Sequence, residues 1–290
     1  MTPLDPFRDG IWLKREDEHQ LGAFKWRGAL ATLEARRPDV VVTASTGNHG
    51  AATAWAARRA GIRAIVFVPE QASAAKVALI EAQGAELRHV GADLDESKAA
   101  AKELAVREGW FFFEDGAEPA QFDGYAAIGD ELLDQLAGPP GSVVVPVGNG
   151  ALAIGVFRAL AARAPSTERV AVSAAAAPAM WESRRAGRPV DSETCATFAD
   201  GLAVRVAIPL AVAELNPLVQ RFELVTEREL ALAVGAYAEV GIRVEGAAAA
   251  PLAVALRESL PRPTVLIVTG RNIDDGLWRR AVDAPDSFAA

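Results

Sequence analysis

The chain has 290 residues, a net charge of −8, 51% hydrophobic and 23% charged residues. It is long enough to bury a sizeable core, as one large or two smaller domains. Its acidity argues against a nucleic-acid backbone or an anionic membrane surface as partner. The amino-terminal MTPLDPFRDG lacks the basic start and apolar core of a signal peptide, and no apolar run approaches a membrane span. The single cysteine, Cys195, cannot build a disulfide framework or a cysteine-based zinc site within one chain, which fits a reducing, cytoplasmic compartment.

The first informative stretch is LGAFKWRGAL, residues 21–30, with Lys25 between Phe24 and Trp26. Two readings are open at this point. One is an amphipathic helix start with Lys25 snorkelling out of an apolar face. The other is a lysine in partly apolar surroundings, where a neutral amine becomes a nucleophile.

Short β-rich runs then alternate with alanine-rich helical stretches. DVVVTA (39–44), RAIVFVP (63–69), ELRHV (86–90) and WFFFE (110–114) predict strands, separated by helices near 49–60, 73–83 and 95–107. The three consecutive Phe read as buried core of a parallel sheet. A helix near 125–137 ends at GPPG. SVVVPV (142–147), helix 152–163, ERVAVSA (168–174), helices 227–240 and 247–259 and strand TVLIVT (264–269) complete the pattern. Repeated strand–helix alternation predicts parallel α/β sheets covered on both faces.

Ligands of such sheets bind at the carboxyl ends of the strands, where three loops stand out. GNGAL (148–152) opens a helix with small residues and suits an anion, although it lacks the spacing of a Walker or dinucleotide loop. STGNHG (45–50) offers Ser45, Thr46, the Gly47 amide, Asn48 and His49 at a helix start, which suits a carboxylate or an ordinary N-cap cluster. GRN follows strand 264–269. Two anion loops and a lysine suggest one ligand with a phosphate and a reactive carbonyl, and pyridoxal 5'-phosphate is such a ligand.

LKREDEHQLGAFKWRGA resembles the signature of the fold-type-II pyridoxal-phosphate enzymes, and ASTGNHG, PVGNGAL, ADGLAV (199–204) and VTGRNID (268–274) resemble its later blocks, in order along the chain. The nearest group is that of the serine/threonine dehydratases, with serine racemase nearby. The resemblance implies two Rossmann-like parallel-sheet domains of the tryptophan synthase β type. A large cofactor domain would comprise residues 1–44 and 125–290, with a small domain, 45–124, inserted in it. It implies that Lys25 bonds to the cofactor aldehyde and moves the substrate proton. Phe24 would pack on the ring and Asn48 bond its oxygen. Gly148, Asn149, Gly150, Ala151 and Leu152 would take the phosphate. Thr269 would face the pyridine nitrogen, with Glu245 near the cofactor. Ser45, Thr46, Gly47 and His49 would hold the substrate carboxylate. The implied activity is β-elimination from L-threonine or L-serine to a 2-oxo acid and ammonia, in a homodimer.

Several positions depart from the family pattern. Ala23 replaces a Ser, Asn149 and Ala151 replace glycines, and GYAA (124–127) replaces G-Q-G-T. Thr46 stands where racemases carry a serine and is a second candidate acid–base group. Arg271 replaces a glycine, as a solvated arginine or as a cation for a substrate side-chain carboxylate such as that of 3-hydroxyaspartate. Ser173 and Ala179 replace the two acids of a divalent-cation loop, so no metal is expected there. Glu245 alone could equally cap a helix dipole. The chain begins almost at TPL, which implies a catalytic unit without the family's extra amino-terminal segment or a regulatory domain. A racemase or β-replacing synthase on the same scaffold, and a non-enzymatic binding protein that has kept the fold, are the alternatives.

Overall fold

The computed structural model describes residues 1–8, 10–72 and 74–288. In chain order the strands are β1 (Leu4–Arg8), β2 (Ile11–Arg15), β3 (Val40–Ala44), β4 (Arg63–Val68), β5 (Glu86–His89), β6 (Phe111–Phe112), β7 (Ser142–Pro146), β8 (Glu168–Ala174), β9 (Arg221–Val225) and β10 (Thr264–Val268). The helices are α1 (Trp26–Arg36), α2 (Asn48–Ala60), α3 (Ala74–Glu81), α4 (Leu94–Glu108), α5 (Pro119–Gln135), α6 (Ala151–Arg163), α7 (Ala179–Ala186), α8 (Pro209–Leu215), α9 (Glu227–Ala238), α10 (Gly246–Arg257) and α11 (Asp275–Asp283). Two compact units result, Met1–Phe24 with Tyr125–Ala290, and Lys25–Gly124. The boundary expected after residue 44 falls at the end of β3, inside the smaller unit, because α1 packs on α2 and β3 pairs with β4 and β6.

The larger unit holds a six-stranded sheet of order β1-β2-β10-β7-β8-β9. Every pairing is parallel except β1 with β2. β7 and β10 are buried along their whole length, which is why they read as unbroken apolar runs. Val144, Val172, Leu266 and Val268 pack with Leu230 and Val234 of α9 and Leu252 of α10 in one core. The amino-terminal hairpin was not legible in the sequence. Pro6 is tolerated because β1 lies at the sheet edge, where a missing amide costs no ladder bond.

The smaller unit holds a parallel sheet of order β5-β4-β3-β6. The expected strand 110–114 shrinks to two residues, since β6 is an edge and pairs only through Val41–Phe111 and Val42–Phe112. The all-core reading of its three Phe is corrected with it. Phe113 is fully buried, but Phe111 and Phe112 are half-buried, and each lies under a cation, Arg36 and Lys102. Among the described residues no helix is long and apolar enough to cross a membrane.

Candidate active site

In the smaller unit β3 and β6 are parallel neighbours, so their carboxyl ends lie side by side. The first is followed by STGNHG, the second by Glu114 and Asp115. Lys25 lies immediately before α1, and its side chain is 16% exposed. Its Nζ donates to Oδ2 of Asp115 at 2.5 Å. Asp115 also accepts from Nε2 of Gln121 at 2.7 Å, and its Oδ1 stands 3.6 Å from Nδ1 of His49. Burial pushes the Asp115 carboxyl up, but the charge of Lys25, that of His49 when its ring is protonated, and the hydrogen bonds from Lys25 and Gln121 outweigh it. The carboxyl is held well below its usual range.

His49 is buried on the first turn of α2. Its Nε2 lies 3.1 Å from Oγ1 of Thr43 and 3.4 Å from the Phe113 carbonyl. The Thr43 hydroxyl already donates to that carbonyl, at 2.8 Å. Nε2 therefore carries the hydrogen, because both atoms it faces are acceptors. Nδ1 can then donate to Asp115 only when the ring is protonated. Burial lowers the His49 pKa, against the pull of Asp115. Ser45 is buried and its Oγ accepts from the Gly47 amide at 3.2 Å, whereas Thr46 and Asn48 are half-buried and Gly47 is exposed.

In the larger unit the segment before Lys25 is laced to the loop after β10. The Phe24 amide donates to Thr269 O at 3.0 Å and the Arg271 amide to Gly22 O at 2.9 Å. Nδ2 of Asn272 donates to Leu21 O at 2.7 Å. Gly22 has φ +66°, and a Cβ there would strike Oδ1 of Asn272, so the turn requires glycine. The Phe24 ring packs on Tyr125 with centroids 5.0 Å apart, so the Tyr of the unusual GYAA segment buttresses the residue next to Lys25.

Thr269 is buried, and its hydroxyl donates to Oε1 of Glu245 at 3.2 Å. Glu245 precedes α10 but makes no side-chain capping bond; its carboxylate covers Gly270 instead. After β7, Gly148 and Gly150 lead into α6, whose first amides point out of the helix end as an anion cradle. A Cβ on Gly148 would run into the Gly201 carbonyl, and Gly150 has φ +96°. The Ala151 amide donates to Oδ1 of Asn149 at 3.1 Å. The residues that replace the cation-loop acids are also accounted for. Ser173 donates to Val147 O at 2.6 Å, and Ala179 is buried at the start of α7. Arg271 is half-buried and has no carboxylate partner among the described residues.

Of the sequence candidates, the smaller unit thus brings Lys25 and His49 to one carboxylate. The larger gathers Thr269 with Glu245, and places Gly201 against Gly148. Asp115 was missed by sequence reasoning. The signal that could have found it is its place directly after a parallel strand, at the same end as the STGNHG loop.

The family model for pyridoxal-phosphate-dependent enzymes matches residues 2–270. The chain is 35% identical over 272 residues to L-threonine ammonia-lyase of Geobacter sulfurreducens, covering 91% of this chain and 67% of that protein. Against the biosynthetic L-threonine dehydratase of Pasteurella multocida identity is 33% over 199 residues, 67% of this chain but 39% of that longer protein. The processed threonine deaminase isoform 2 of Solanum lycopersicum superposes with a TM-score of 0.92 at 27% identity, covering 97% of this chain and 87% of that one. With the match running through the lysine, both anion loops and the close at Thr269, the chain belongs to the pyridoxal-phosphate-dependent enzyme family.

Proposed function

We propose that the protein is an ammonia-lyase that dehydrates and deaminates a hydroxy amino acid such as L-threonine or L-serine. The observation that carries this reading is the 35% identity to an L-threonine ammonia-lyase across 91% of the chain. The residues fit pyridoxal phosphate. A lysine amine is held at a half-buried carboxylate, a Cβ at Gly148 would strike the Gly201 carbonyl, and Gly150 has a φ that favours glycine. When bound, the cofactor supplies an electron sink for the α-carbon of the amino acid.

On this reading Lys25 would hold the cofactor through its aldehyde, and Gly148, Asn149, Gly150, Ala151 and Leu152 would hold its phosphate at the start of α6. Asn48 and Phe24 would orient the ring. Thr269, whose hydroxyl leans on Glu245, would be the group offered to its nitrogen. A hydroxyl does not hold a proton on that nitrogen as a carboxylate would, which favours loss of a β-substituent over transamination. Ser45, Thr46, Gly47 and His49 form the wall toward the substrate carboxylate. Nζ of Lys25, once free, would take the α-proton, and the β-hydroxyl would leave as water once an equivalent proton is returned to it from the Nζ ammonium. The released enamine hydrolyses to a 2-oxo acid and ammonia. The single cysteine supports a cytoplasmic location, and the resemblance supports a homodimer.

Release of 2-oxo acid from L-threonine, L-serine and 3-hydroxyaspartate tests the reading. Release from one of the first two is expected, and Lys25→Ala should lower it by at least about a thousandfold. No release from any of them, or full turnover by the variant, would overturn it. Arg271, which has no carboxylate partner among the described residues, favours a second reading, 3-hydroxyaspartate as substrate, and the same assay decides between them.

A further inference from the structure

The mechanism above gives Asp115 no part, yet it is the carboxylate that Lys25 meets, 2.5 Å from Nζ. Its carboxylate is oriented by three neighbours and stays partly open. Gln121 donates to Oδ1 at 2.7 Å, and its own oxygen accepts from the Gly116 amide at 2.8 Å, so the loop carrying Asp115 is pinned. The titratable groups facing it are Lys25 and His49, and His49 has its Nε2 hydrogen committed to Thr43 and the Phe113 carbonyl. Neutral His49 therefore presents a lone pair, and Asp115 keeps a full negative charge that asks for a cation at the place Nζ occupies.

An amino acid reaching this site brings such a cation. On the lyase reading the substrate nitrogen would replace Nζ as the amine held at the cofactor, so the two nitrogens would use the same region of the site. A carboxylate within hydrogen-bond reach of one is within reach of the other. Resting on the lyase reading for the identity of the amino acid, we propose that Asp115 is the substrate-ammonium acceptor: it receives the α-ammonium of the incoming amino acid at the position where it now holds Nζ. Recognition is then divided between two loops at one end of one sheet. STGNHG takes the carboxylate of the substrate, and the loop after β6 takes its ammonium.

The test compares L-threonine or L-serine with 3-hydroxypropionate, which keeps the carboxylate and hydroxyl of serine and lacks the ammonium. Amino-acid binding to the cofactor-loaded enzyme is read from the change in visible absorbance, which needs no turnover. 3-Hydroxypropionate is read as a competitor of that change. In Asp115→Asn the amino-acid affinity should fall about tenfold or more, with the affinity for 3-hydroxypropionate unchanged. KM should rise far more than kcat falls. Asp115→Glu, which moves the carboxylate by one methylene, should recover part of the loss.

Equal weakening of both ligands, or of neither, would overturn the proposal. If Asp115→Asn does not fold or take up cofactor, Asp115→Glu decides, since unchanged amino-acid affinity there overturns it as well. A selective loss of amino-acid affinity in a protein that releases no 2-oxo acid would sink the lyase reading and leave Asp115 in its role. Oxo-acid release with unselective variants would do the reverse.

Discussion

His49 enters the folded chain as a neutral ring, and its environment makes protonation costly. Its pKa is lowered from the ordinary 6.5, chiefly by burial. As pH falls through that value the unfolded chain takes up a proton before the folded one does. The stability His49 contributes is therefore complete above 6.5 and drains away as the pH drops towards its folded pKa. The urea midpoint of the smaller unit should fall between about pH 7 and pH 5.5, and His49→Gln should flatten that slope. Asp115, also held low, adds a further loss only below its ordinary 3.8. An unchanged midpoint across the first window would show that the ring is not titrating as the geometry requires. At this scale the sequence was most readable where chemistry is written locally. FKWRG and STGNHG each carry their signal within a few residues. Asp115 does not, because ninety residues separate it from Lys25 and only the pairing of β3 with β6 brings it near.

Elements with a strong local signature were legible; among the edge strands β5 was read, β1 and β9 were not, and β6 was read too long. α9 opens with a capping box. The Thr226 hydroxyl accepts from the Glu229 amide, and the Glu229 carboxylate accepts from the Thr226 amide. Removing the cap with Thr226→Ala should cost about 1 kcal/mol, seen as a lower urea midpoint with an unchanged slope, while cofactor binding is unaffected. A loss near zero would mean that burial of the Leu230 and Val234 face alone holds the helix. β9 shows why edges escape reading. Its RFELV alternates charge with apolar residues, and both charges are used in pairs, Arg221 with Glu223 and Glu223 with Arg257. The alternation has the period of a strand, but half-buried residues there resemble a polar connector. β6 fails in the opposite sense, since three Phe in a row suggest a longer buried strand than the two edge residues that form.

For the molecule as a whole, a buried polar cluster in the larger unit matters to stability. Lys14, on β2 beside the edge strand of the larger sheet, is 0% exposed. Its Nζ donates to Thr2 O at 2.8 Å, Glu131 Oε2 at 2.7 Å and Gln135 Oε1 at 2.9 Å. These bonds tie the amino-terminal hairpin to α5. Lys14→Met leaves Glu131 without its main partner, and breaking such a buried pair costs about 3–5 kcal/mol. Hydrogen exchange should show β2, β7 and β10 losing protection while β3 and β4 keep theirs. Equal loss in both sets would mean that the two compact units do not unfold independently. Fold class was legible from alternation alone, because parallel strands buried on both faces must be written in unbroken apolar letters. The hairpin was not, because it is held by a buried cation that composition gives no reason to place inside.

The phosphate loop has a trait of its own. Asn149 replaces a glycine of the family pattern, and its side chain already satisfies the Ala151 amide at the mouth of α6. On the proposed assignment, an incoming phosphate would compete for that amide with a tenant that belongs to the chain. Part of what the phosphate gained would be given back when Asn149 let go. Asn149→Gly should therefore hold the cofactor more tightly, and weaker retention in that variant would mean that the side chain helps to hold the phosphate.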